Sequence, residues 1–142
     1  PPANGTLSGL APNLVYTPRV GFVGLDSFTF QPMDGYSFGS VGTVSITVAP
    51  PSPPAAPSGL LAELANSVNL TWTDNSRNET GFEIERSMDK SQWKLLAAVG
   101  ADTTTYSDGS VAKNKSYSYR IRAVNAIGKS SYSNTASVKT PK

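Results

Sequence analysis

The sequence predicts an all-β protein: two β-sandwich modules in series, the first of them incomplete within these 142 residues. Three observations carry this. Apolar and polar residues alternate at period two in Val68, Leu70 and Trp72 against Asn69, Thr71 and Thr73, and again in Phe82 and Ile84 against Glu83 and Glu85. Tyr117, Tyr119, Ile121 and Ala123 alternate likewise with Ser118, Arg120 and Arg122. Such a pattern gives a strand one buried face and one wet face, and three half-buried strands need a second layer to cover them, with Trp72 at its centre. Composition agrees, since 12 Gly, 11 Pro and only 15% charged residues favour turns and strands over helices. Finally, a proline run at residues 50–57 cuts the pattern in two.

Residues 1–49 read as four short strands. Thr6–Ser8 follows Asn4-Gly5, Asn13–Thr17 follows Pro12, Asp26–Phe30 follows Gly24, and Gly42–Val48 ends at the prolines. Val44, Ile46 and Val48 alternate with Thr43, Ser45 and Thr47. Asp34-Gly35 is a turn dipeptide between the third and fourth strands. Tyr16, Phe28 and Phe30 are the core candidates here.

Between Ala49 and Pro57 there are five prolines in nine residues. Proline removes ladder donors and holds the backbone extended, so residues 50–57 are expected to be a semi-rigid spacer of about 3.1 Å per residue. From Ser58 to Lys142 the expected strands are Leu60–Leu64, Val68–Thr73, Gly81–Arg86, Trp93–Val99, Thr103–Ser107, Tyr117–Arg122 and Tyr132–Lys139. Asp74-Asn75, Asn78–Gly81, Asp89–Ser91, Asp108-Gly109 and Asn125–Gly128 supply the turns. Seven strands in about 85 residues fits the immunoglobulin-like sandwich class.

Several function classes fall away. The net charge is +2 with scattered basic residues, so no stripe follows a nucleic-acid backbone. No apolar run approaches the roughly 18–20 residues that cross a bilayer as a helix, so no membrane insertion is expected. No export signal opens the chain, which is expected to start after one or to be cut from something longer. The absence of both Cys and His removes thiolate zinc sites and the usual nucleophile–base pairs. Glu83 and Glu85 share a strand face beside Arg86, a solvated charged face rather than a general-acid pair. No catalytic residue, cofactor or metal site is assigned.

Asp26, Asp34, Asp74, Asp102 and Asp108 offer carboxylates of the kind calcium takes from loops. None shows an Asp-x-Asp-x-Asp spacing, and turn or cap chemistry is the expectation. Tyr36, Phe38, Trp93 and Tyr132 are aromatics able to lie on a polysaccharide face, although packing accounts for them as well. Four Asn-x-Ser/Thr sites, at Asn4, Asn69, Asn78 and Asn114, are expected to be silent.

Residues 54–141 resemble a fibronectin type III domain. The motifs are Pro57-Ser-Gly-Leu60, Val68-Asn-Leu-Thr-Trp-Thr-Asp-Asn75, Glu79-Thr-Gly-Phe-Glu-Ile-Glu-Arg-Ser87, Thr105-Tyr-Ser-Asp108, Tyr117-Ser-Tyr-Arg-Ile-Arg-Ala-Val-Asn125 and Gly128-Lys-Ser-Ser-Tyr-Ser-Asn134. The resemblance implies that Trp72 is core and that Tyr117 makes a tyrosine corner, with Leu70, Phe82, Ile84, Tyr119 and Ile121 packed around them. Lys113 stands where the family usually has Pro, and the adhesion tripeptide Arg-Gly-Asp is absent.

Residues 1–49 are similar to the C-terminal part of a bacterial cadherin-like or immunoglobulin-like tandem repeat, through Leu14-Val-Tyr-Thr-Pro18, Gly21-Phe-Val-Gly-Leu-Asp-Ser-Phe-Thr-Phe30 and Thr43-Val-Ser-Ile-Thr-Val48. Pro32 departs from that pattern and suggests a bulge or edge. A complete sandwich takes about 100 residues. Half of one leaves Leu14, Tyr16, Phe28, Phe30, Val44 and Ile46 facing water, so strands from upstream or from a neighbouring chain are expected to cover them.

Together these readings imply a non-catalytic, secreted or cell-surface spacer segment of a larger bacterial protein. Its partners would be neighbouring domains of that protein or neighbouring copies of the same chain. Two alternatives stand beside it: a fibre subunit whose first module is completed by the next chain, and an accessory module that binds polysaccharide.

Overall fold

The computed structural model describes residues 1–142, with eleven strands and no helix. The chain divides into two compact units, Pro1–Pro51 and Ser52–Lys142.

In the first unit, β1 (Gly5–Leu10) pairs antiparallel with β2 (Asn13–Pro18), and β3 (Gly24–Phe30) pairs antiparallel with β4 (Gly42–Val48). The two hairpins remain separate two-stranded sheets. What ties them is Asp26, which lies in β3 as its expected strand implies but is buried, where turn or cap chemistry is the expectation for its carboxylate. Its Oδ1 accepts the backbone N–H groups of Ala3 (3.0 Å) and Ser27 (2.9 Å), and its Oδ2 accepts the N–H of Asn4 and the hydroxyl of Tyr16, both at 2.8 Å. Asp34 caps its turn by accepting the N–H groups of Tyr36 and Ser37. Pro32 lies past the end of β3, outside any strand.

The core assignment in this unit needs correction. Phe30 is 52% exposed, and Tyr16 and Phe28 are only half-buried. The two hairpins line an open cleft without closing it, so their apolar side chains stay only partly covered.

The second unit is a closed sandwich. Its strands are β5 (Ser58–Leu64), β6 (Val68–Thr73), β7 (Gly81–Ser87), β8 (Lys94–Gly100), β9 (Thr105–Asp108), β10 (Ser116–Val124) and β11 (Ala136–Lys139). One sheet has the order β5-β6-β9, the other β11-β10-β7-β8. Between them lie Leu60, Val68, Leu70, Trp72, Phe82, Ile84, Tyr117, Tyr119, Ile121 and Ala123. Trp72 is 5% exposed, with the ring of Phe82 at 5.8 Å and edge-on. Gly81 sits opposite Gly100 at the β7–β8 end, where any side chain would strike the Val99 carbonyl.

Three local differences from the sequence reading have physical causes. Trp93 stays outside β8 because its indole N–H donates to the Lys90 carbonyl (3.1 Å) and holds it to the preceding turn. The last strand starts at Ala136 rather than Tyr132. Upstream of it, the hydroxyls of Ser130 and Ser133 accept the N–H groups of Ala123 (2.9 Å) and Ile121 (3.1 Å), replacing regular ladder bonds. Most of the proline stretch belongs to the second unit. Asn78 and Asn125 donate side-chain N–H groups to the Ser52 carbonyl, Asn75 donates to that of Ala56, and Pro54 and Pro57 are buried.

Candidate functional site

Leu70, Trp72, Phe82, Ile84, Tyr117, Tyr119 and Ile121 come together in one core, whereas Tyr16, Phe28 and Phe30 lie in the other unit. The Tyr117 hydroxyl accepts the backbone N–H of Ala112 at 2.9 Å, closing the corner before β10. Beside it Asp108, read from sequence as a turn residue, is almost wholly buried. Its Oδ2 accepts Arg86 Nη1 (2.7 Å) and the Tyr119 hydroxyl (2.9 Å), while its Oδ1 accepts the N–H and hydroxyl of Ser110. Burial pushes the Asp108 carboxyl up, but the bonds from Ser110, Arg86 and Tyr119 outweigh it and hold the group below the usual carboxylate range. Burial and the same carboxylate push the Tyr119 phenol well up. The guanidinium of Arg86 also lies 5.1 Å from the Tyr117 ring centre.

The outer face of β7 and β10 carries a ladder of charges and rings. Arg120 forks onto Glu85 Oε2 through Nε (2.8 Å) and Nη2 (2.6 Å), and Arg122 reaches Glu83 Oε2 through Nε at 2.8 Å. Lys129 Nζ meets Glu83 Oε1 at 2.7 Å, and the Tyr132 hydroxyl donates to Glu85 Oε1 at 2.8 Å. The Arg120 guanidinium is sandwiched between Trp93 (4.3 Å) and Tyr132 (3.8 Å), and Arg122 lies 4.7 Å from the centre of the Tyr132 ring. The bond from Lys129 and the Arg122 charge hold Glu83 below the usual range. Burial opposes the same shift at Glu85, but Tyr132 and Arg120 prevail. Both carboxylates are therefore ionised and committed at neutral pH, and neither is poised to give or take a proton.

Two of the candidate calcium carboxylates, Asp74 and Asp102, come together with Glu79, which the sequence does not single out. Asp74 and Glu79, in the β6–β7 loop, meet Asp102, in the β8–β9 loop, with one carboxylate oxygen of each within 4.8 Å of the others. Asp102 takes a left-handed backbone (φ 58°), and its N–H donates to Glu79 Oε1 at 3.3 Å. These are the residues best placed to hold a metal. Asp26, Asp34 and Asp108 stand apart from them with oxygens already bonded.

In the first unit, Leu7, Leu14, Tyr16, Phe28, Phe30 and Val44 help to line an open apolar cleft of about 510 Å³.

The fibronectin type III domain family matches residues 52–139. A solved structure of a Fn3-like protein from Clostridium thermocellum is 30% identical, with a TM-score of 0.55, over 64% of this chain and 97% of that one. A structure of titin kinase and its flanking domains is 26% identical, with a TM-score of 0.56, over 63% of this chain and 18% of that one. The FN1–FN3 domains of chicken CNTN1 align over 91% of this chain and 46% of theirs at 15% identity and a TM-score of 0.58, a likeness of fold alone. The chain shares the all-β, immunoglobulin-like sandwich class with the Fn3-like protein and the CNTN1 domains.

Proposed function

Since the chain belongs to the fibronectin type III family, whose domains act as structural and interaction modules in multidomain proteins, we propose that it is a non-catalytic spacer segment of a larger secreted or cell-surface bacterial protein. One observation carries this reading. The outer-face carboxylates Glu83 and Glu85 are locked into pairs with Arg120, Arg122 and Lys129. A surface built this way holds shape and presents no reactive group. Its partners are neighbouring domains of the parent protein.

The first unit fits the end of a cadherin-like or immunoglobulin-like module, whose further strands lie over Tyr16, Phe28, Phe30 and Val44. The open apolar cleft favours a second reading, in which those strands come from a neighbouring copy and the chain builds a fibre. Polysaccharide binding has less support, because Arg120 already occupies one face each of Trp93 and Tyr132.

Size-exclusion chromatography with electron microscopy of the whole chain, and pull-down on chitin and cellulose, test these readings. Monomers that pass through both polymers are expected. Filaments would replace the spacer by the fibre subunit, and retention on a polymer would replace it by the binding module.

A further inference from the structure

Three carboxylates gather at one end of the second unit, and one of them is buried. Asp74, Glu79 and Asp102 bring carboxylate oxygens within 4.8 Å of one another, and none of the ion pairs in the protein involves any of them. Like charges at that separation repel, and no direct ion pair offsets the repulsion.

Glu79 makes the case sharper. It is only 9% exposed, and its Oε2 is sealed from solvent with no hydrogen-bond partner, although Oε1 is held by the Asp102 N–H. A buried carboxylate oxygen left unpaired costs several times what an exposed one does, and chains rarely retain one. The same residue that closes the grouping from inside is thus the one with an unmet need for a positive partner.

We propose that Asp74, Glu79 and Asp102 form a binding site for one calcium ion. The donor set is all oxygen, with neither His nor Cys anywhere in the chain, which selects a hard cation over zinc or copper. Calcium takes carboxylate oxygens in a flexible geometry at about 2.3–2.6 Å, whereas magnesium demands a near-ideal octahedron at about 2.0–2.1 Å and keeps most of its water, so three carboxylates gathered from two loops favour calcium. Asp74 is half-buried and Asp102 exposed, so water can complete the six to eight positions that calcium fills. The ion would bridge the β6–β7 and β8–β9 loops, joining the two sheets at that end. Three carboxylates with a solvent-open side place the affinity in the range of extracellular modules, about 10⁻⁴–10⁻³ M.

The test is calorimetry on the whole chain, by titration with calcium chloride and by thermal scans with calcium or with EGTA, at neutral pH. One site per chain is expected. A melting temperature higher by about 5–20 °C at roughly 10 mM calcium should accompany it, since only the folded state holds the three ligands together. D102N changes an exposed residue and should fold normally while losing at least tenfold in affinity together with most of the thermal shift. E79Q should lose the shift as well. The proposal is overturned by any of three results: no thermal shift with calcium, an undiminished shift in D102N, or an equal shift with magnesium. E79Q gaining stability in EGTA while the parent chain stays unresponsive to calcium would instead show that Glu79 is simply a strained carboxylate.

Discussion

The hydroxyl of Tyr117 accepts the backbone N–H of Ala112 across a gap of 2.9 Å, five residues upstream in the chain. That N–H is part-buried, so deleting the hydroxyl removes a bond and leaves a donor unmet. Y117F is expected to destabilise the second unit by about 1–2 kcal/mol. Urea unfolding would read this as a lower midpoint at unchanged slope.

A larger effect is expected at Asp108. Its carboxylate is the shared acceptor for Arg86, Tyr119 and Ser110, and it is all but sealed from water. D108N keeps the shape but strands the Arg86 charge, and should cost about 3–5 kcal/mol. Denaturant unfolding of the variant beside the parent chain measures it, and a loss under 1 kcal/mol would mean that the pair is not buried as described.

Parts of this arrangement were legible in the letters and parts were not. The alternation of Val68, Leu70 and Trp72, and of Tyr117, Tyr119 and Ile121, marks buried strand faces because side-chain direction in a strand follows position in the chain. Asp108 does cap its turn, through the Ser110 N–H, and Asp26 does lie in its expected strand, but the burial of both carboxylates is not legible. A short polar side chain near glycine is a good turn signal, and only the fold shows that each collects donors from distant segments. Asp74 and Asp102 stand among the candidate calcium carboxylates, but Glu79 and the grouping of the three do not follow from spacing, because metal-ligand spacing rules describe single loops and these residues come from two. The exposed apolar face around Phe30 followed from counting strands in the first 49 residues, yet alternation alone had placed Phe30 in a core.

Acid should loosen the first unit first at Asp26. Burial works against its charge, but bonds from Tyr16, Asn4, Ala3 and Ser27 hold the folded carboxyl at about 2, below the roughly 3.9 of an unfolded aspartate. The folded-state value is the lower one, so the stabilisation is fully present above about pH 4 and is lost as pH falls through about 2. NMR of the Ala3 and Asn4 amides should follow that window, and D26N should abolish their response.

On the outer face, Arg120 both forks onto Glu85 and fills the gap between Trp93 and Tyr132. Lysine keeps the charge but neither the fork nor the flat stack. R120K should therefore cost about 1 kcal/mol, measured by thermal unfolding, with the fold retained.

Native-state hydrogen exchange on the whole chain probes most directly the contrast between a sealed second unit and an open first one. Amides of Leu70, Ile84, Tyr119 and Ile121 should exchange only through global unfolding, while those of β1 to β4 should exchange orders of magnitude faster. Equal protection in the two units would contradict the account, since it would mean that the face around Tyr16, Phe28 and Phe30 is already covered within this chain.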